Sequence, residues 1–246
     1  MIRLQKLLAE AGLGSRRTIE QWIRAGRVSV GGRPAQLGDR ASRTDEVCLD
    51  GRKLDLTAEV APAELLLYYK PVGEVTTRSD PQGRRTVFER LPPPRQGRWI
   101  SIGRLDVNTA GLLLLTTDGE LAHRLMHPSS EVEREYLVRV RGQPGPGVIR
   151  ALLQGVALED GPARFDSVAP QSAAAHAAHG SFRVVLHEGR NREVRRLWEA
   201  VGFEVSRLLR IRYGPIELPR DMRPGGARRA DEAALGSLRA ATGGPR

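Results

Sequence analysis

The stretch Gly103-Arg104-Leu105-Asp106-Val107-Asn108-Thr109-Ala110-Gly111-Leu112-Leu113-Leu114-Leu115-Thr116 sets one carboxylate, Asp106, in a polar turn just before an unbroken apolar run. The run is short, β-like in length and bounded by turn residues, so it predicts a buried strand. An ionisable group at its mouth sits at the rim of a core, where burial can shift its pKa and fix its geometry. A plainer reading is a turn aspartate that hydrogen-bonds its own backbone. On residue chemistry alone, the plainer reading is the stronger.

The rest of the chain bounds what that carboxylate serves. With 246 residues, 40% of them hydrophobic, there is room for one sizeable core and a small satellite domain. No apolar run approaches the roughly 20 residues that span a bilayer, and Met1-Ile2-Arg3-Leu4-Gln5-Lys6 has no signal-peptide character. Cys48 is the sole cysteine, which excludes an internal disulfide and a cysteine-based zinc cluster and suits a reducing cytoplasm. The net charge is +10, from 39 Lys and Arg against 29 Asp and Glu, and the only lysines are Lys6, Lys53 and Lys70. Guanidinium groups grip phosphate and stack on bases, so the bias suits RNA, although a GC-rich genome would enrich arginine as well.

Residues 1–56 read as a compact unit. Leu4, Leu7, Leu8 and Ala11 fall at helical spacing, and Ser15 caps a second helix with the stripe Ile19, Trp22 and Ile23. Gly31-Gly32 then turns a hairpin beside Val28 and Val30, with a further strand at Val47 and Leu49. Residues 57–64 read as a linker. A larger domain, 65–228, mixes strands at Leu65–Tyr69, Leu112–Leu115, Val138–Val140 and Ser181–Leu186 with a few helices, and predicts an α+β fold. Asp80–Arg98 and Gln171–Gly180 read as loops, and residues 229–246 as a tail that frays. His176 and His179 lack nearby acidic or cysteine ligands, so no metal site is expected.

Two resemblances join these observations. Leu-x-Lys-x-Leu-Ala-x-Ala-Gly, Ser-Arg-Arg and Gly-Arg-Val-x-Val, with Arg16, Arg17, Arg24 and Arg27 at the helix ends, resemble the S4 RNA-binding domain. Gly-Arg-Leu-Asp followed by Thr-x-Gly-Leu-Leu-Leu-Leu-Thr resembles the catalytic motif of the pseudouridine synthases that modify ribosomal RNA. That resemblance implies a synthase domain on a mixed, mostly antiparallel sheet with flanking helices. It implies Asp106 as the essential carboxylate, Arg104 as the residue filling the space left by a flipped base, and Tyr136 as the platform under the uracil. From Glu188-Gly189-Arg190-Asn191-Arg192-Glu193-Val194-Arg195-Arg196-Leu197 it implies Arg195 as the partner of Asp106, with Arg190, Arg192 and Arg196 meeting phosphates. Leu209 is implied as an apolar wall of the pocket, and Lys70-Pro71 with Gly73 as a mainly structural motif.

Converting uridine to pseudouridine transfers no electrons and no external group, so no cofactor is expected. The strings Thr-Val-Phe-x-Arg-Leu-Pro and Arg-Leu-Met-His-Pro-Ser are most similar to the branch of the family acting on large-subunit (23S) ribosomal RNA. The expected partner is therefore that RNA or a pre-ribosomal particle, met in the cytoplasm by a monomer with no membrane attachment. The rival reading from another class is a non-catalytic S4-containing ribosome-assembly factor. A metal-dependent RNA hydrolase finds no support in the chain.

Overall fold

The structure, a computed structural model, describes residues 1–57, 61–171 and 178–242. It divides into two compact units. The first contains Met1–Ala63 together with Pro93–Ile100 and Thr117–Gly119. Helices α1 (Leu4–Glu10) and α2 (Arg16–Arg24) lead into a four-stranded sheet containing Val28–Val30 and Val47–Leu49. Ser15 caps α2 by accepting from the Thr18 amide at 2.9 Å. Leu4, Leu7, Leu8, Ile19, Ile23, Val28 and Val47 form its core. Gly31 and Gly32, with φ of 57° and 79°, give the left-handed pair that a two-residue hairpin needs.

Pro93–Ile100 corrects the expected boundary, because it belongs with the first unit despite lying far along the chain. Two glycines allow it: a Cβ on Gly12, whose φ is +82°, would lie 3.1 Å from the Cα of Gly97. Part of the expected linker, residues 58–60, lies outside the described residues, as do His176 and most of the Gln171–Gly180 loop.

The second unit is built on a nine-stranded mixed sheet. Seven of its strands make the main path: β1 (Leu65–Lys70), β2 (Ala110–Thr116), β3 (Arg134–Arg141), β4 (Ser167–Pro170), β5 (His179–Leu186), β6 (Val205–Tyr213) and β7 (Ala227–Arg229), in the order β4-β5-β3-β6-β2-β1-β7. The β6–β2 pair is parallel and the remaining pairs of this path are antiparallel. Leu112 to Leu115 are all fully buried, which accounts for a leucine run without alternation. The β6–β2 register sets Gly111 beside Arg210, and a Cβ on Gly111 would collide with the Arg210 carbonyl oxygen. Glycine is therefore obligatory where the Asp106 turn enters β2.

Helices α3 (Gly119–Met126), α4 (Pro146–Gln154) and α5 (Glu193–Ala200) accompany the sheet, as expected of a domain with flanking helices. The tail departs from expectation. Rather than fraying beyond residue 229, the chain pairs β7 with β1 and then forms α6 (Glu232–Ala240). Asp231 caps α6 through the Ala234 amide at 2.8 Å, and Leu235 and Leu238 are buried. The Gly, Ala and Arg-rich composition hid two apolar anchors at i and i+3. Residues 243–246 lie outside the described residues.

Candidate active site

One face of the sheet floors a cavity of about 850 Å³ within the second unit. Arg134 and Tyr136 of β3, Leu186 of β5, and Leu208, Arg210 and Tyr213 of β6 line it, and the Gly103–Asp106 turn with Thr109 forms one wall. Register explains the choice of side chains. Tyr136 pairs with Arg210 on one side and Val184 on the other, and Val138 pairs with Leu208. Residues directly opposite share a face, and those one step along lie on the reverse. Leu209 pairs with Leu137, a step out of phase, and does not line the cavity. The apolar wall is Leu208, which corrects the expectation for Leu209.

Asp106, Arg104 and Tyr136 are brought together on this cavity. Tyr136 is buried, Asp106 is half-buried and Arg104 is exposed. The turn carrying Asp106 is fixed through its backbone, each carbonyl having a donor. Thr76 Oγ1 donates to the Leu105 carbonyl at 3.0 Å, and the Thr109 amide to that of Asp106 at 3.0 Å. The Gly73 amide donates to Val107 at 2.8 Å, Arg195 Nη2 to Asn108 at 2.8 Å, and Lys70 Nζ to Thr109 at 2.8 Å. Such contacts hold the backbone that carries the Asp106 side chain in place before any substrate arrives.

Arg195 was expected to pair with Asp106 directly. Its guanidinium instead donates to two backbone carbonyls, Asn108 and Val205, the latter at 2.9 Å. Burial pushes Arg195 below the usual arginine range, Arg192 pushes the same way, and the Asp106 carboxylate opposes both. The two residues thus sense each other's charge, while the hydrogen bonds run to the backbone beyond Asp106.

Lys70, read from its motif as mainly structural, braces the end of the Asp106 turn. It is fully buried, and Nζ bridges the Thr109 carbonyl and the Pro71 carbonyl, the latter at 2.9 Å. Burial pushes its ammonium down to about 8, against the charges of Glu74 and Asp106. Glu74 in turn accepts from Tyr68 Oη at 2.6 Å, and burial raises the Tyr68 phenol above its ordinary value. A signal was present in the sequence: Lys70 is the one lysine of the larger domain in a chain that otherwise uses arginine.

The arginines expected on phosphate divide into two groups. Arg190 is held by Glu188, by Asp160 and by the carbonyls of Gly161 and Pro162. Arg196 forms two hydrogen bonds to Asp160, at 2.8 and 2.9 Å. Both brace the loop before α5 and are not free phosphate ligands, because acidic neighbours occupy their forks. Arg192 is exposed, has left-handed backbone at φ 49°, lines the cavity, and its guanidinium forms no hydrogen bond or ion pair with the described residues. In the first unit, Arg27 is clamped by Asp50 with Nε at 2.8 Å and lies over the Trp22 ring, whereas Arg16, Arg17 and Arg24 are exposed on α2.

Comparison with known proteins agrees with this geometry. Residues 64–200 match the RNA pseudouridylate synthase family. The chain belongs to that family. Residues 2–47 match the S4 domain. Ribosomal large subunit pseudouridine synthase B of Yersinia pestis is 55% identical over 240 residues, covering 96% of this chain and 75% of the relative. The protein of the same name from Escherichia coli (strain K12) is also 55% identical, over 96% of this chain and 82% of its own length. A solved pseudouridylate synthase superposes with a TM-score of 0.67 at 26% identity, covering 97% of this chain and 100% of that one. As a member of the pseudouridylate synthase family the protein is an isomerase, and the reading as a non-catalytic assembly factor gives way.

Proposed function

We propose that the protein isomerises one uridine of large-subunit (23S) ribosomal RNA, free or in a pre-ribosomal particle, with Asp106 as the catalytic carboxylate. The substrate follows the names of the relatives, and the residue roles follow the cavity. Action as a monomer in the cytoplasm is part of the same proposal.

A stacked base is out of reach, so the nucleotide turns out into the cavity at a cost of a few kcal/mol. In this reading Arg104, exposed on the cavity beside Asp106, occupies the vacated stack, and Tyr136, on the same cavity, lies against the uracil. The N1–C1′ bond breaks, the uracil turns, and C5 joins C1′, with the C5 proton finally passing to N1. Asp106 serves this sequence either by adding at C1′ or by taking the C2′ proton; both need its oxygen beside the ribose.

The observation that carries the proposal is the Asp106 turn itself, with every carbonyl from Leu105 to Thr109 held and its side chain on the cavity shared with Tyr136. Asp106→Asn keeps size and fold. It is expected to retain RNA binding and to lose pseudouridine formation by at least about a thousandfold, read by chemical mapping of rRNA. Full activity in the purified variant defeats the assignment.

A further inference from the structure

Three buried polar atoms that lack a hydrogen-bond partner among the described residues belong to residues lining this cavity. They are Glu193 Oε1, Arg210 Nη2 and Thr109 Oγ1. Their side chains are almost wholly buried, with 4%, 2% and 2% of their surface exposed. Buried polar groups are normally paired, and an orphan at a ligand cavity is most simply one that a ligand satisfies. Arg210 is otherwise anchored, with Nε donating to the Leu112 carbonyl at 2.8 Å and the guanidinium 5.2 Å from the centre of the Tyr213 ring. Glu193 is anchored as well, because Oε2 accepts from the Arg190 amide at 3.0 Å. Each residue thus has one polar atom fixed by the protein and another left over.

The leftover atoms of Arg210 and Glu193 are of opposite kind. Arg210 Nη2 is a donor only, and Glu193 Oε1, in the carboxylate form, is an acceptor only. The free edge of uracil carries the complementary pair, a carbonyl acceptor next to the N3–H donor. Cytosine carries N3 as an acceptor and an amino group in place of O4. We propose that Glu193 and Arg210 read the edge of the flipped base, Glu193 accepting from uracil N3–H and Arg210 donating to an adjacent carbonyl oxygen, so that the site admits uridine and rejects cytidine. A site built to pair such groups excludes an analogue that leaves them unpaired or opposed far more strongly than shape alone does. The inference rests on the cavity being the site of isomerisation.

Glu193→Gln is the decisive variant, since it preserves size. A glutamine has one acceptor where the carboxylate has two, so it cannot serve both the Arg190 amide and uracil N3–H. The experiment uses the full chain and two RNA stem-loops, one bearing the mapped target uridine and the other cytidine at that position. Pseudouridine formation is followed on the first, and the second is titrated as a competitor. The wild-type preference for uridine over cytidine is expected to fall about tenfold or more in Glu193→Gln, with kcat/KM on uridine falling by a similar factor. A merely structural role would lower affinity for both RNAs alike, and an unchanged uridine-to-cytidine ratio overturns the proposal. Arg210→Lys is the second variant: one ammonium must replace both the Leu112 contact and the base contact, and a ratio unchanged there as well removes Arg210 from the reading. Failure of the wild-type protein to isomerise the uridine stem-loop, or full activity of Asp106→Asn on it, defeats the assignment of the cavity instead.

Discussion

Arg195 Nη2 donates to the carbonyl oxygen of Asn108 at 2.8 Å, two residues beyond Asp106, while Nη1 donates to Val205 of β6 at 2.9 Å. One planar fork therefore ties the Asp106 turn to the central strand. Arg195→Lys keeps the charge but has a single nitrogen, which cannot reproduce two divergent contacts. A misplacement of about 1 Å at a reacting group can cost on the order of a hundredfold in rate. The variant is expected to lose ten- to hundredfold in single-turnover rate with little change in RNA affinity. A parallel loss of affinity and rate would instead make Arg195 a phosphate contact.

The Asp106 turn was legible because its residues are contiguous: a polar turn, an obligatory glycine and a leucine strand follow within 14 positions. The S4 helices were legible from periodicity and the Ser15 cap. What escaped depends on packing between distant segments. The contact from Arg195 to Asn108 crosses 87 positions, and the choice of Leu208 over Leu209 turns on a one-residue phase in β6. That phase is set by irregularities in the β3–β6 pairing, at Glu135/Tyr136 and Arg139/Val140, which no local pattern records. The occupied forks of Arg190 and Arg196 were equally hidden, because Asp160 lies more than 29 residues away.

Lys70 gives a prediction with a definite sign. Burial pushes its ammonium to about 8 from the ordinary lysine value of 10.5. Between those values the unfolded chain binds the proton and the folded chain does not, so the stability contributed rises from pH 8 to 10.5 and is lost as pH falls through 8. The full span is on the order of 3 kcal/mol. Lys70→Met has no such window. Urea titrations of both proteins from pH 7.5 to 10.5 should show wild type gaining on the variant by that order, and a difference that stays flat with pH would contradict the buried ammonium.

Arg192 and Arg196 sit four positions apart and should behave differently. Arg192, exposed and without an acidic partner among the described residues, is expected to neutralise one phosphate. Arg192→Ala should weaken binding of the substrate RNA and lower the slope of log affinity against log salt by about 1. Arg196, clamped on Asp160, should leave that slope unchanged and cost about 1 kcal/mol of folding stability. Filter binding over a salt series, with thermal melts alongside, separates the two. Equal slopes for both variants would return Arg196 to the RNA surface.

Helix α6 makes the C-terminal segment part of the folded second unit. Leu238 is fully buried, and a Cβ on Gly214, in the turn after β6, would lie 3.9 Å from Leu238 Cδ2. The helix therefore packs against the end of the strand that carries Leu208, Arg210 and Tyr213. Removing a buried leucine side chain costs 2–5 kcal/mol, by lost transfer energy and by the cavity left behind. Leu238→Ala is expected to lower stability by about 3 kcal/mol, whereas Glu232→Ala, on the exposed first turn of the same helix, should change it by less than about 1 kcal/mol. Urea denaturation monitored by tryptophan fluorescence checks both, and equal stability of Leu238→Ala and wild type would mean that α6 does not anchor the end of β6.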